Sequence, residues 1–202
     1  MNSDAFINIE NAAHDSAFGH NHRPTPTDRQ CAAGNYKVGR AVIQGLPVSI
    51  EQPRNSYRTG VDPKTGRRWT NRLAAHYGYF TGTRGADGDP VDCFIGPYPQ
   101  AESVWVINQH VGGSFDEHKV MLAFPDLETA RRAYLHSYER GWNGLRSIVK
   151  VSVPQFKEWL KNGDLKKALS ADDLIGAGAS TAMKRAAGHE ADYQALKRKL
   201  GY

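Results

Sequence analysis

His76-Tyr77-Gly78-Tyr79-Phe80, followed after five residues by Ala86-Asp87-Gly88-Asp89-Pro90-Val91-Asp92-Cys93, is the most informative stretch of this chain. The aromatic residues of 76–80 have high β propensity and predict a strand. Pro90 disfavours helix, so the acidic segment is predicted to be a tight turn that enters a second strand. Asp87 and Asp89 can then face one side, and Asp92 converges on them if the turn bends.

These three carboxylates are a candidate metal site. Two carboxylates about 4 Å apart repel each other by roughly 1 kcal/mol in water and about 4 kcal/mol at an effective dielectric of 20. A divalent cation relieves that repulsion, and hard oxygen ligands favour Mg²⁺, Mn²⁺ or Ca²⁺ over zinc, with Mg²⁺ as the preferred ion and Mn²⁺ as its alternative. A calcium EF-hand loop is excluded because its sixth position would be Asp92 rather than glycine. The alternative is an Asx turn, in which the carboxylates accept hydrogen bonds from backbone N–H groups.

Short runs of β-branched and aromatic residues predict further strands on both sides of this stretch. The predicted strands are residues 37–43, 47–51, 67–70, 77–80, 91–95, 104–108 and 119–124. Turn-forming residues separate them at short intervals, which favours antiparallel meanders over βαβ units. The predicted fold class is therefore α+β, a small antiparallel OB-like β-barrel flanked by C-terminal helices.

Two helices are predicted late in the chain. Asp126 is a candidate N-cap for a helix with apolar residues at helical spacing, and Pro154 lies in the first turn of another that ends before Gly163. The predicted domain organisation is a mobile leader over 1–34, the barrel domain with its helices over 35–168, and a basic helical tail over 169–202.

Bulk properties restrict the class of protein. The chain has 202 residues, a net charge of +5 and two cysteines, which together predict one domain without a disulfide framework. The absence of a signal pattern and of any apolar run near 20 residues predicts a cytoplasmic protein with no membrane partner. Nucleic acid and self-association remain open as partners. His14, His20, His22 and Cys31 match no closed zinc pattern and are interpreted as incidental.

The motifs resemble those of one family, the soluble inorganic pyrophosphatases. Asp87-Gly88-Asp89-Pro90-Val91-Asp92 is similar to the signature of that family, and Tyr77-Gly78-Tyr79 precedes it as expected. The order and spacing of other residues also resemble the family: Ile50-Glu51-Gln52-Pro53, Arg58, Asp62, Gly66, Arg72 and Phe115-Asp116-Glu117-His118-Lys119-Val120. The resemblance covers roughly residues 48–144 and is closest to the shorter pyrophosphatase-like domains of phages and mobile elements.

The resemblance implies a role for each matching residue. Asp87, Asp89 and Asp92 would hold Mg²⁺, with Asp116 or Glu117 adding a carboxylate, and Asp89 would orient the attacking water. Arg58 and Arg72 would bind phosphate oxygens, Lys119 would neutralise the leaving phosphate, Tyr77 and Tyr138 would donate hydrogen bonds, and Glu51 would lie behind the metal ligands. Independently of any family, phosphoanhydride hydrolysis needs metal-holding carboxylates together with guanidinium and ammonium groups for the phosphates.

Three positions depart from the family pattern. The segment Gln109–Gly113 lacks a carboxylate expected there, Glu139 follows Tyr138 where a lysine is expected, and Gly60 replaces an active-site glutamate. The favoured function is metal-dependent hydrolysis of pyrophosphate, with a nucleotide as the other candidate substrate. The alternatives are a barrel of weakened catalytic activity that binds nucleotide or nucleic acid, and a phage structural or interaction protein. Strand alternation turns Cys93 away from Asp92, which predicts a buried structural thiol.

Overall fold

A computed structural model describes residues 3–18, 38–61 and 65–174 of the chain. The elements are, in chain order, α1 (Ser3–Phe18), β1 (Gly39–Ile43), β2 (Leu46–Gln52), β3 (Tyr57–Val61), β4 (Arg68–Arg72), β5 (His76–Phe80), β6 (Asp92–Ile95), β7 (Ser103–Val111), β8 (Ser114–Leu122), α2 (Leu127–His136), β9 (Leu145–Ser152) and α3 (Val153–Asn162). All seven predicted strands overlap observed ones, whereas β3 and β9 were not predicted.

Seven strands form one sheet in the order β1-β2-β5-β6-β8-β7-β9, and β3 pairs with β4 in a separate hairpin. Most neighbours in the sheet are antiparallel, but β6 and β8 are parallel. β1 and β9 are the two ends of the strand order, so the strands of the described segments form no closed barrel. The predicted α+β class is confirmed, and the small antiparallel OB-like barrel is corrected to a large, mostly antiparallel sheet that is not closed among the described residues.

Helices cover the two faces of the sheet, and each face has its own hydrophobic cluster. Ile9 of α1 and Trp159 of α3 belong to one cluster, whereas Tyr134 of α2 belongs to the other. Cys93 and Phe94 are adjacent in β6 yet belong to different clusters, as strand alternation requires. Cys93 is a fully buried free thiol, which confirms its predicted burial.

The expected mobile leader is wrong over residues 3–18, which form α1. Ile9, Ala12 and Ala13 of this helix are buried in the core. These residues follow helical spacing, but a single short apolar stripe among polar residues did not reveal a helix whose stability comes from tertiary packing. His14 is exposed on α1, and the other three candidate zinc ligands of the leader lie outside the described residues.

Both predicted C-terminal helices are confirmed, and local capping explains their positions. Asp126 accepts a hydrogen bond from the Thr129 backbone N–H at 2.8 Å, and Ser152 forms a reciprocal capping box with Gln155. The backbone N–H of Gly163 donates to the Trp159 carbonyl at 2.8 Å where α3 ends. None of the helices in the described segments is both long and apolar enough to cross a membrane.

The predicted domain boundaries stay predictions. The described chain continues past residue 168 through a helical turn over 171–174. Most of the expected basic tail lies beyond that turn, outside the described residues.

Candidate active site

A buried lysine forms the centre of the candidate site. Lys119 on β8 is 2% exposed and is the parallel-strand partner of Asp92 on β6. Its ammonium group donates to the Asp92 carboxylate and lies 2.7 Å from Glu117. The Tyr77 hydroxyl, on β5, donates to the same Asp92 oxygen and accepts from Lys119 at 3.3 Å. The sheet pairing thus gathers four residues that the sequence singled out.

Electrostatics keeps this cluster in a defined protonation state. Burial opposes the charge on Lys119, but the surrounding acidic groups, including Asp92 and Glu117, raise its pKa well above the ordinary value. Burial also raises the pKa of Tyr77. Lys119 is therefore a cation and Tyr77 a protonated hydroxyl at neutral pH, so both groups are hydrogen-bond donors.

Gln109 connects the cluster to α2 and the segment that follows it. Its amide nitrogen donates to Glu117 at 2.9 Å and to Asp116 at 3.2 Å. Its amide oxygen accepts from the Tyr134 hydroxyl at 2.8 Å and from the Tyr138 hydroxyl at 3.0 Å. Sequence reasoning noted the missing carboxylate in 109–113 but did not find this role, which depends on contacts across the sheet.

Two β-bulges direct carboxylates into the site. Residue 51 is the extra residue where the β2–β5 register shifts between Ile50 and Gln52, and residue 116 is unpaired where Gln109 faces Glu117 and His110 faces Phe115. A bulge re-aims the side chain of its extra residue. Burial and the neighbouring Asp92 charge raise the pKa of Glu51 to about 7.

The acidic loop is an exposed turn that leads into β6. The Asp89 backbone N–H donates to Asp87 Oδ1 at 3.0 Å, so the alternative interpretation as an Asx turn holds for this pair. Gly88 has a φ of 94°, a conformation that favours glycine. Asp87 and Asp89 are exposed, whereas Asp92 points to Lys119. Within the described part of the chain, no three His, Cys, Asp or Glu side chains are gathered closely enough to hold a metal ion.

The donor set nevertheless fits a hard divalent cation. Burial raises the pKa of Glu117, and the negative charges of Asp92 and Asp87 raise it further, against the opposing effect of Lys119. Asp89 likewise acts with Asp92 to raise the pKa of Glu51. These carboxylates thus share one region of negative potential, which a cation bound by oxygen ligands would relieve.

The predicted cationic residues occupy different environments. The Arg58 guanidinium lies 4.5 Å from the Tyr77 ring centroid and lines a cavity of about 480 Å³ beside the cluster. Arg72 is exposed at the end of β4 and does not line this cavity. Glu139 forms an ion pair with Arg67 at 2.5 Å on the rim of the cavity. The structure therefore places Arg58 against Tyr77 of the lysine cluster, and the role of Arg72 stays a prediction.

His118 faces away from Lys119, as expected from strand alternation. Its ring lies between Phe115, with centroids 4.7 Å apart, and Trp159, with centroids 4.9 Å apart. Neither ring nitrogen makes a hydrogen bond of normal geometry. Burial lowers the pKa of His118 to about 4, against a smaller opposing effect of the nearby Lys167 backbone. The ring is therefore neutral at pH 7 and belongs to the core.

Together, the open sheet and the lysine cluster define an α+β protein with a buried site of mixed charge. The family model of inorganic pyrophosphatase matches residues 28–161. The chain belongs to the inorganic pyrophosphatase family, which confirms the resemblance seen in its motifs. The finer likeness to domains of phages and mobile elements stays a prediction.

Relatives and a solved structure extend this comparison. The chain is 24% identical over 163 residues to the inorganic pyrophosphatases of Salmonella typhimurium and Salmonella typhi, covering 73% of this chain and 91% of each relative. A crystal structure described as an inorganic phosphatase from Anaplasma phagocytophilum shares 18% sequence identity, covers 65% of this chain and 92% of its own, and has a TM-score of 0.30.

Proposed function

We propose that this chain hydrolyses inorganic pyrophosphate to phosphate with Mg²⁺ as its metal and Mn²⁺ as a substitute. The observation that carries the proposal is the buried Lys119 ammonium, held by Asp92, Glu117 and Tyr77 beside the Arg58 guanidinium. A buried cation among carboxylates suits a substrate that is highly charged and arrives with a metal. Family membership supports the same reaction.

The carboxylates and the cations have separate tasks in this proposal. Asp87, Asp89 and Asp92 would hold the metal, with Asp116 or Glu117 as a further ligand. Bound there, Mg²⁺ supplies charge neutralisation and the activation of water. Hard oxygen ligands that repel one another in its absence are the donor set this ion prefers.

The other residues bind the substrate and orient the reacting groups. Arg58 and Arg72 would bind phosphate oxygens, since a guanidinium remains charged at any working pH and forms planar paired hydrogen bonds. Lys119 would neutralise the phosphate that leaves, Tyr77 and Tyr138 would donate hydroxyl hydrogen bonds, and Asp89 would orient the attacking water. Glu51, aimed by its bulge, would lie behind the metal ligands.

Phosphate release tests this function directly. Release from pyrophosphate is measured with Mg²⁺, with Mn²⁺ and without metal, for the wild type and for Asp89→Asn. We expect release to require metal and to fall by at least about 100-fold in the variant, the effect of removing one well-placed electrostatic group. Asp172→Asn, the same change at an exposed carboxylate on the helical turn, is the matched control. Release that survives Asp89→Asn unchanged would contradict the proposal.

The second candidate function is a binding module with little turnover. The observation that favours it is Gln109, whose amide nitrogen donates to the Asp116 and Glu117 oxygens that would otherwise be available to a metal. Such a module would bind nucleotide or nucleic acid, and this binding would survive Asp89→Asn. Its affinity for nucleic acid would fall steeply as the salt concentration rises. A salt titration of the binding of a short oligonucleotide separates it from the enzyme.

A further inference from the structure

The cavity beside the lysine cluster is larger and more apolar than a pyrophosphate ion needs. It has a volume of about 480 Å³, and its lining includes Arg58, Trp69, Tyr138 and Trp142. That volume lies in the range of about 300–1,000 Å³ that is typical of pockets for small organic ligands. Pyrophosphate presents only charged oxygens and has no apolar surface to place against two indole rings. The cavity therefore fits a ligand with a flat, partly apolar group.

Local contacts fix both tryptophans in the cavity wall. Trp142 stacks on Tyr138 with ring centroids 4.7 Å apart and an interplanar angle of 9°, and its Nε1 donates to the Tyr134 hydroxyl at 2.9 Å. Trp69 packs so closely on Gly60 that a Cβ there would lie 2.3 Å from the indole. Both indoles are half-buried. Such fixed rings are suitable platforms for stacking a nucleic-acid base of any sequence.

The three departures from the family pattern all border this cavity. Gln109 and Glu139 line it, and Gly60 makes room for Trp69. Glu139 pairs with Arg67 on the rim, so this end carries a charge pair with no net charge. The Arg58 guanidinium lies between the Trp69 ring, at 5.9 Å from its centroid, and the Tyr77 ring of the lysine cluster, at 4.5 Å, and the Asp116 carboxylate also lines the cavity. A flat group stacked on Trp69 would therefore have an attached anion within reach of the Arg58 cation, on the side that leads to Lys119.

We propose that this cavity takes the base and sugar of a nucleoside polyphosphate, whose phosphates reach the Lys119 cluster. The inference rests on the proposed function for the phosphate end and extends its substrate class to nucleoside diphosphates and triphosphates. In a diphosphate, the oxygen of water bonds to the terminal phosphorus and the P–O bond to the bridging oxygen breaks. The electron pair of that bond leaves with the nucleoside monophosphate, and the proton of water passes to solvent as phosphate forms.

Kinetics on matched substrates test the base-binding role. For the full chain with Mg²⁺, kcat/KM is measured for pyrophosphate and for nucleoside diphosphates and triphosphates with each base. We expect Trp69→Ala to lower the nucleotide-to-pyrophosphate ratio of kcat/KM by about 5- to 150-fold, the range for loss of one base–aromatic stack. The ratio for Trp69→Phe, which retains an aromatic ring, should lie between those of the wild type and Trp69→Ala. Trp105→Phe, at a buried tryptophan outside the cavity, should leave the ratio unchanged. Equal loss on both substrates would overturn the inference.

Binding without turnover separates this inference from the proposed function. Tryptophan fluorescence is titrated with methylenediphosphonate and with the methylene analogue of a nucleoside diphosphate. The nucleotide analogue should bind more tightly, and Trp69→Ala should remove that difference. If pyrophosphate is hydrolysed but nucleotides are neither hydrolysed nor bound, the inference is wrong and the proposed function stands. If nothing is hydrolysed but the nucleotide analogue binds through Trp69, the proposed function fails and the nucleotide site stands.

Discussion

Replacing the Gln109 amide by a carboxylate is the sharpest test of how charge is arranged in this site. Gln109→Glu keeps the shape of the side chain and the acceptor oxygen for Tyr134 and Tyr138. It replaces the amide nitrogen, which donates at 2.9 and 3.2 Å to Glu117 and Asp116, by a negatively charged oxygen. Two attractive contacts thus become repulsive, while the packing is unchanged.

The size of the effect is limited by protonation of the new group. Each of the two like-charge contacts costs about 4 kcal/mol at about 4 Å and an effective dielectric of 20, which makes about 8 kcal/mol for both. The new carboxyl group can instead take up a proton, and protonating a glutamate of ordinary pKa about 4.3 at pH 7 costs about 3.7 kcal/mol. We therefore expect Gln109→Glu, without divalent ions, to lower the free energy of unfolding by about 4 kcal/mol at pH 7. The loss should shrink towards pH 5, where the raised pKa of the new group leaves it protonated.

Urea unfolding with and without Mg²⁺ measures this prediction. A cation bound among the carboxylates should restore stability, by about 2.7 kcal/mol at 100 times its Kd, and more in Gln109→Glu than in the wild type. Gln100→Glu is the matched control, because it makes the same change at an exposed position. If Gln109→Glu is as stable as the wild type without metal, or if Mg²⁺ stabilises both equally, the carboxylates do not form the shared negative site inferred from the structure.

Three further predictions concern the core, the cluster and a helix cap. His118→Phe removes a ring whose folded pKa of about 4 lies below its ordinary 6.5, so the unfolded state binds more protons between these values. On acidification through that window, the free energy of unfolding of the wild type should fall by about 3 kcal/mol relative to that of the variant. An equal change in urea unfolding of both proteins would refute this. Tyr77→Phe should lower kcat/KM for pyrophosphate about 10- to 150-fold, the effect of losing hydrogen bonds to charged groups, with Tyr98→Phe at an exposed tyrosine as the control. Ser152→Ala should lower the free energy of unfolding by about 1 kcal/mol, and an unchanged denaturation midpoint would show that the capping box contributes nothing.

The elements that the sequence predicted well depend on interactions between residues close along the chain. The Asp126 and Ser152 caps act across three residues, and Gly163 ends α3 through a contact with Trp159 four residues earlier. Strands such as β5 and β6 were recognised from β-branched and aromatic content alone. β9 carries the same signal in Ile148, Val149 and Val151 and was detectable, whereas α1 offers only a short apolar stripe.

Sequence alone therefore determined the α+β class, both C-terminal helices, and the residue types available for the site: carboxylates, a lysine, arginines and tyrosines. Only tertiary structure decided that the sheet stays open, and that the parallel pairing of β6 with β8 sets Asp92 opposite Lys119 across 27 residues of chain. It also decided that Gln109 joins Asp116 and Glu117 to α2, and that Gly60 allows Trp69 to line a cavity. The physical reason is that caps and propensities act within a turn or two of chain, whereas strand register and the burial of charge are settled by the packing of distant segments.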